Sequence, residues 1–364
     1  MPSSVPKRCS IRTRWSRSRP SSARARSLRP VPLRPASGSR SSREARVKTL
    51  VTGGAGFIGS ALVDRLLAEG HEVDVVDDLS TGSLANLSEA RGGQSRRFSF
   101  QRLDIRSPGM VEYLAHRKPE VVFHIAAQPS VAVSLAKPVL DAEVNVVGSL
   151  NVCQGALAAG TRKVVFAASG GTLYGAPESV PTKEGHPQQP TSPYGVSKKA
   201  VIDYLHYFRE IRGLEYSSLA LANVYGPRQD PHGEAGVIAI FAGKLLTRER
   251  ATIFGDGEQT RDFVYVDDVI DAFVRAADKG GGLTMNIGTG VETSVQQLYD
   301  LMAKIIGFAD PPRYATPRPG ELRRSALHPG RAGIHLGWEP WTGLEAGVTR
   351  TINWFRQHGS SSRR

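Results

Sequence analysis

The stretch from Thr49 to Asp78, TLVTGGAGFIGSALVDRLLAEGHEVDVVDD, decides the fold. An apolar run, Val47 to Val51, leads into a glycine turn of Gly53, Gly54, Gly56 and Gly59. An amphipathic run from Phe57 to Ala68 follows. A second apolar run, Val73 to Val76, closes on Asp77 and Asp78. This is strand, turn, helix and strand, with an acid about 20 residues past the glycines. Glycines let the backbone turn tightly and approach a pyrophosphate, and the first amides of the helix then face that anion. The turn, with Phe57 and Ile58 at its helical end, is expected to bind a dinucleotide. Asp77 and Asp78 stand where a carboxylate accepts hydrogen bonds from ribose hydroxyls. A 2′-phosphate would meet like charge there, so NAD is favoured over NADP.

Working outward, strand-like and helix-like segments alternate at βαβ spacing. Strands are expected over Phe98–Ile105, Glu120–Ile125, Lys163–Ala168 and Tyr216–Leu221, with helices over Val111–Arg117, Val131–Ala159 and Pro193–Arg212. That order predicts an α/β, Rossmann-type doubly wound parallel sheet over residues 47–222, covered on both faces. Ligands in such sheets bind at the carboxyl ends of the strands, where Asp77, Asp104, His124, Ser169 and Asn223 fall. Residues 223–356 read as a smaller, mainly substrate-binding domain, with elements near 262–290 returning to the sheet. Helices are expected over Val237–Leu246, from Val266 and over Val295–Ile306, and Pro311–Pro329 reads as irregular.

The net charge of +13 is local. Residues 1–46 carry twelve arginines and Lys7 against Glu44, and the remaining 318 residues carry 34 basic and 33 acidic side chains. The folded part is therefore nearly neutral and gives no charge argument for nucleic acid. The Arg-, Ser- and Pro-rich segment cannot bury a core and is expected to be disordered. It reads as a basic arm, as an organelle leader, or as residues upstream of the true start. The last is preferred, because VKTLVTGGAGFIGS resembles the usual beginning of a dinucleotide-binding chain. No apolar run reaches the ~18 residues needed to span a membrane. The cysteines, Cys9 and Cys153, have no metal-ligand spacing, which suits a reducing, cytoplasmic compartment and predicts no metal site.

Chemistry is concentrated in SPYGVSK, Ser192 to Lys198. Tyr194 and Lys198 are four apart, hence on one helical face. A tyrosine is a poor base at neutral pH, and a neighbouring ammonium favours its phenolate. A routine pair on a solvated helix is the alternative, and the upstream dinucleotide turn argues against it.

The motifs TGGAGFIGS, DDLSTG, LDI, FHIAAQ, NVVGSLNV, SGGTLYG, SPYGVSK, LANVYGPRQ, FGDGEQTRDFVYVDD and RPGE together resemble the nucleotide-sugar 4-epimerases of the extended short-chain dehydrogenase/reductase family. The resemblance runs from about Val47 to Arg356. It implies an NAD-dependent isomerase that oxidises a UDP-hexose such as UDP-galactose at C4, lets the 4-keto sugar rotate, and reduces its other face. Tyr194 would be the acid/base, with Lys198 tuning it. Asp104 and Ile105 would contact adenine, and Ala126, Ala127, Gln128 and Asn145 would line the dinucleotide. Asn223, Arg261, Arg318 and Glu321 would meet the sugar nucleotide, Arg261 and Arg318 at the diphosphate. Ion pairs to Asp262 or Glu258 are the competing role for Arg261.

One position departs from the family. Its usual catalytic Ser or Thr corresponds to Gly170, so Ser169 or Thr172 must supply the hydroxyl, and Thr172 is preferred. The Asp-Glu pair of the 4,6-dehydratases is replaced by Gly171 and Thr172, which argues against elimination. Ser325 falls near a residue that limits sugar bulk and suggests room for an N-acetyl group, so N-acetylhexosamine and uronate epimerases stay open. An NAD-binding sensor is the non-enzyme alternative, opposed by the intact Tyr194 and Lys198. A homodimer is expected through the helix carrying Tyr204, Leu205 and Phe208. His124 and Cys153 are expected to pack rather than react.

Overall fold

The computed structural model describes residues 46–93, 96–231, 236–318 and 321–359. The expectations for residues 1–45, the basic segment and Cys9 among them, lie outside the described residues. Lys48–Thr52 (β1), Glu72–Asp77 (β2), Phe98–Arg102 (β3), Val121–His124 (β4), Lys163–Ser169 (β5) and Glu215–Leu221 (β6) join the strand Leu283–Ile287 in one seven-stranded sheet. Its order is Leu283–Ile287, β6, β5, β4, β1, β2, β3, and every pair is parallel. This is the doubly wound α/β sheet that the alternation predicts. The order reverses between β1 and β4, and a crevice opens at such a point.

Period-two alternation builds two cores from single strands. Val51, Val75 and Phe123 face one side, and Leu50, Val76 and Val122 face the other. The first core continues without a break through Phe241, Tyr299, Trp338 and Phe355. The second holds Phe166, Leu205, Phe208 and the free thiol of Cys153, whose burial pushes it up to about 12. Beyond β6, Asn223–Tyr225 (β7) pairs with Phe263–Tyr265, Thr260–Arg261 with Thr293–Ser294, and Thr252–Phe254 with Arg313–Ala315. Two helices, Gly330–Leu336 and Leu344–His358, follow the irregular segment. Among the described residues no helix is long and apolar enough to cross a membrane.

One expected helix is divided. Val131–Ala159 folds as Val131–Ala136, Pro138–Ala142, a π-helical turn Glu143–Val147, and Gly148–Ala159. Pro138 lacks an N–H and starts a new helix at its first position, with Lys137 leaving the helical region before it. The π turn holds Asn145 inside the protein. A second correction concerns the face expected to meet a partner. Leu205 and Phe208 belong to the chain's own core, whereas Val196, Tyr204, Tyr207 and Ile211 of the same helix are exposed.

Candidate active site

The glycine turn crosses the reversal of strand order between β1 and the helix Phe57–Ala68. Gly53 has a φ of +69°, and a Cβ there would stand 2.7 Å from the backbone nitrogen of Ala126. A Cβ at Gly59 would stand 2.1 Å from the Gly53 carbonyl oxygen. At Gly56, which precedes the helix, a Cβ would meet only that carbonyl, at 3.2 Å. The turn is thus a cradle that side chains would fill, and no side chain caps the helix amides behind it. Phe57 and Ile58 are half-buried in the first turn. Asp77 is buried, and its two oxygens accept from the amides of Ala55, at 2.9 Å, and Leu79, at 2.8 Å. Burial holds its carboxyl above the usual range, opposed by those amides. Asp78 accepts from the Ser80 amide at 2.8 Å. A phosphate-sized anion and a ribose fit this cradle and its acid.

At the next strand end Asp104 is already engaged, with Arg106 forming a two-point ion pair at 2.9 and 2.6 Å. That pair holds the Asp104 carboxyl below its usual range. A pocket of ≈ 410 Å³ lined by Asp104, Arg106, Ser107, Glu143 and Val147 opens beside it, and Ile105 is buried. After β4, Ala126, Ala127 and Gln128 form a half-buried loop. Gln128 and Asn145 clasp each other: the Gln128 amide donates to Asn145 Oδ1 at 2.9 Å, and Asn145 Nδ2 donates to the Gln128 carbonyl at 3.1 Å. Both ring nitrogens of His124 are occupied, by Thr52 Oγ1 at 2.7 Å and Ser149 Oγ at 2.8 Å. Burial holds His124 down to about 3, so it is neutral and packed.

The helix Pro193–Arg212 starts because Ser192 accepts from the Gly195 amide at 3.2 Å and Pro193 occupies its first position. Gly195 lets its first turn approach Thr172, whose carbonyl oxygen lies 2.7 Å from where a Cβ would be. Tyr194 is half-buried. Its surroundings push the phenol up to about 12, opposed by a hydrogen bond with Ser169. The phenolate expected at neutral pH is therefore not a property of the chain alone, because burial outweighs the groups that favour it. Lys198 is buried, donates to the Ala167 carbonyl at 3.0 Å and lies 5.7 Å from the centroid of the Tyr194 ring. Burial pulls its ammonium down to about 8, and Asp141 opposes that fall.

The Thr172 hydroxyl turns back to the Ser169 carbonyl, at 3.4 Å, and Ser169 ends the strand β5. Gly170 also gains a physical reason. A Cβ there would stand 2.2 Å from Leu327 Cδ1, so Leu327 occupies the space a side chain would need.

Leu327 ties this end to a second group of residues. Its amide donates to Asp262 Oδ2 at 3.1 Å, and Asp262 also accepts from Thr289 and Gly290. Next to Asp262, Arg261 pairs neither with it nor with Glu258. It donates to Glu321 Oε1 at 2.8 Å and to the Leu322 carbonyl at 2.9 Å. The exposed Arg318 guanidinium lies 4.3 Å from the centroid of Phe254. Asn223 is half-buried at the start of β7, its amide on the Asp262 carbonyl at 2.9 Å, and Ser325 is half-buried beside Ala326. Asp141, Ser197, Phe254, Asp262 and Leu327 were not singled out from the sequence. Only Ser197 carried a signal, lying between Tyr194 and Lys198. Among the described residues no cluster of His, Cys, Asp or Glu is placed to hold a metal ion.

A parallel sheet with an open glycine cradle at its reversal, and a Tyr-x-x-x-Lys helix at the next strand end, defines a dinucleotide-dependent enzyme of the short-chain dehydrogenase/reductase type. The model of the NAD dependent epimerase/dehydratase family matches residues 49–288, and the chain belongs to that family. The chain is 51% identical over 311 residues to a UDP-glucose 4-epimerase of Mycolicibacterium smegmatis, covering 85% of this chain and 99% of the relative. It is similar to the crystal structure of a UDP-glucose 4-epimerase from Thermotoga maritima with UDP-glucose, at a TM-score of 0.82 and 45% identity, covering 85% and 98% of the two chains. It is also similar to that of a Thermus thermophilus UDP-glucose 4-epimerase in complex with NAD, at a TM-score of 0.78 and 42% identity, covering 85% and 99%.

Proposed function

We propose that this chain interconverts UDP-glucose and UDP-galactose by inverting C4 through a transient 4-keto sugar. The observation that carries this is the Tyr194–Lys198 pair held at the end of β5, two strands from the one that feeds the glycine cradle. The similarity to UDP-glucose 4-epimerases supports the substrate class.

NAD, when bound, supplies the hydride acceptor and a positive charge. The glycine cradle and Asp77 would hold it, with Gln128 and Asn145 lining it. Tyr194 removes the proton of the 4-hydroxyl as C4 is oxidised and returns it on reduction. Ser169, at the end of β5, would supply the hydroxyl that bridges that phenol and the sugar. Lys198 places a cation beside the ring and favours the negative oxygen. Arg261 is a planar donor suited to a diphosphate oxygen, and Glu321 holds it until such an anion arrives. The Phe254 face and the Arg318 plane offer stacking surfaces for a flat base. Residues 47–222 thus serve mainly the dinucleotide, and 223–356 mainly the sugar nucleotide.

We further infer a cytoplasmic homodimer. Val139, Val147, Val196, Tyr204, Tyr207 and Ile211 are exposed apolar side chains on adjoining helical elements, which a second copy would cover. The free, buried Cys153 suits a reducing compartment.

The test is to incubate the protein with UDP-, dTDP- and GDP-hexoses and with UDP-N-acetylhexosamines, and to score inversion at C4. Conversion of UDP-galactose to UDP-glucose that is lost in Tyr194→Phe is the expected result. A protein inert on UDP-hexoses but active on UDP-N-acetylhexosamines would move the substrate to that class.

A further inference from the structure

One buried carboxylate near the site belongs to none of the steps above. Asp141 is fully buried. Its Oδ1 accepts from Gln128 Nε2 at 2.8 Å and from Asn145 Nδ2 at 2.9 Å, and its Oδ2 accepts from Ser197 Oγ at 2.7 Å. Gln128 lies on the loop after β4, Asn145 on the π turn, and Ser197 one residue before Lys198. Three separate elements therefore converge on one anion. All three donors are neutral side chains. A buried carboxylate without an ion pair is costly, and three neutral donors offset only part of that cost. Its charge acts outward on a buried cation, the Lys198 ammonium, one residue past Ser197.

We propose that Asp141 is a positioning residue: it locks the dinucleotide loop and the Tyr194–Lys198 helix into one register through three hydrogen bonds, and its charge keeps Lys198 an ammonium. The assignment rests on the proposed chemistry of Tyr194 and Lys198. The other groups placed near Lys198 are uncharged. On β5 these are the Phe166 ring, 4.8 Å away, and the Ala167 carbonyl. On β4 it is neutral His124, and on the same helix the Tyr194 phenol, its ring centroid 5.7 Å away. Glu143 of the π turn is turned outward, toward Arg106.

Asp141→Asn separates charge from shape. The new amide oxygen accepts from Gln128 and Asn145, its NH2 donates to Ser197 Oγ, and the serine hydroxyl turns round. The protein is labelled with 13C at lysine Cε, and the Lys198 signal is assigned by its loss in Lys198→Arg. Its titration is followed by NMR without any sugar. The expected result is a midpoint lower by roughly one pH unit in Asp141→Asn, with the alkaline limb of kcat for UDP-galactose moving by the same amount. An unmoved midpoint overturns the proposal. If Asp141→Asn does not fold, Ser197→Ala decides: a kcat reduced about threefold or more, with KM for the sugar within about twofold, supports the register role, and a wild-type kcat overturns it. A protein that shows the NMR shift but leaves UDP-hexoses untouched refutes the proposed substrate and leaves Asp141 as assigned.

Discussion

Lys198 Nζ donates to the carbonyl oxygen of Ala167 at 3.0 Å, so a buried ammonium is anchored on the strand that ends in Ser169. Burial pulls that ammonium from 10.5 to about 8. For a cation whose folded value is depressed, the cost to stability is complete below pH 8, where both states carry the proton. It fades as pH rises from 8 toward 10.5, where the folded state has lost the proton first. Lys198→Met is therefore expected to raise stability at pH 7 by on the order of 1–3 kcal/mol, a gain that shrinks by pH 10. Turnover should fall by roughly 10²-fold or more. Urea denaturation at the two pH values, beside initial rates, checks both.

Ser169 and Thr172 separate cleanly by substitution. Ser169→Ala removes the hydroxyl that ends β5 and is expected to lower kcat about tenfold or more, whereas Thr172→Ala, whose hydroxyl is turned back to the Ser169 carbonyl, should leave it within about threefold. A larger loss in the threonine variant would return the hydroxyl to Thr172. Tyr194→Phe should fall furthest, by roughly 10²- to 10⁴-fold.

A serine at position 170 should harm rather than help. Gly170→Ser puts a Cβ where Leu327 Cδ1 already is. The expected outcome is a melting temperature lower by several degrees, at about 1–3 kcal/mol of overpacking. Adding Leu327→Ala should recover part of the loss, and differential scanning calorimetry of the single and double variants measures it.

Glu321 competes with any anion for Arg261. Glu321→Gln removes the competing charge, and UDP affinity is expected to rise about two- to fivefold, while Arg261→Ala weakens it about tenfold or more. Isothermal titration with UDP reads both.

The exposed face formed by Val139, Tyr204 and Ile211 predicts association. Tyr204→Glu with Ile211→Glu should shift sedimentation toward the monomer without changing the fold, as charges do not enter an apolar interface core.

The sheet was legible because its signals are local. Alternating apolar runs, Ser192 with Pro193, and Gly56 with Gly59 each announce an element at their own position. The break before Pro138 was legible in principle, since proline stops a helix, but the apolar spacing around it overrode that signal. The π turn holding Asn145 has no sequence pattern. Tyr194 and Lys198 were visible through their spacing. The choice between Ser169 and Thr172 depended on how one short turn faces the helix, and Asp141 on three elements meeting. Arg261 was legible as an anion donor, but Glu321 as its partner lies 60 residues along the chain.

The Leu327 side chain in the gap over Gly170 has a consequence for recombination. One branch of this leucine abuts the turn beside Tyr194, and its amide is tied to Asp262, the neighbour of Arg261. The two halves of the chain are therefore keyed to each other at this point, as they are where Leu283–Ile287 pairs with β6. A hybrid that takes its first half from a relative with a side chain at position 170, and its second half from this chain, would collide there. Gene shuffling within the family is compatible at this junction only when both residues travel together.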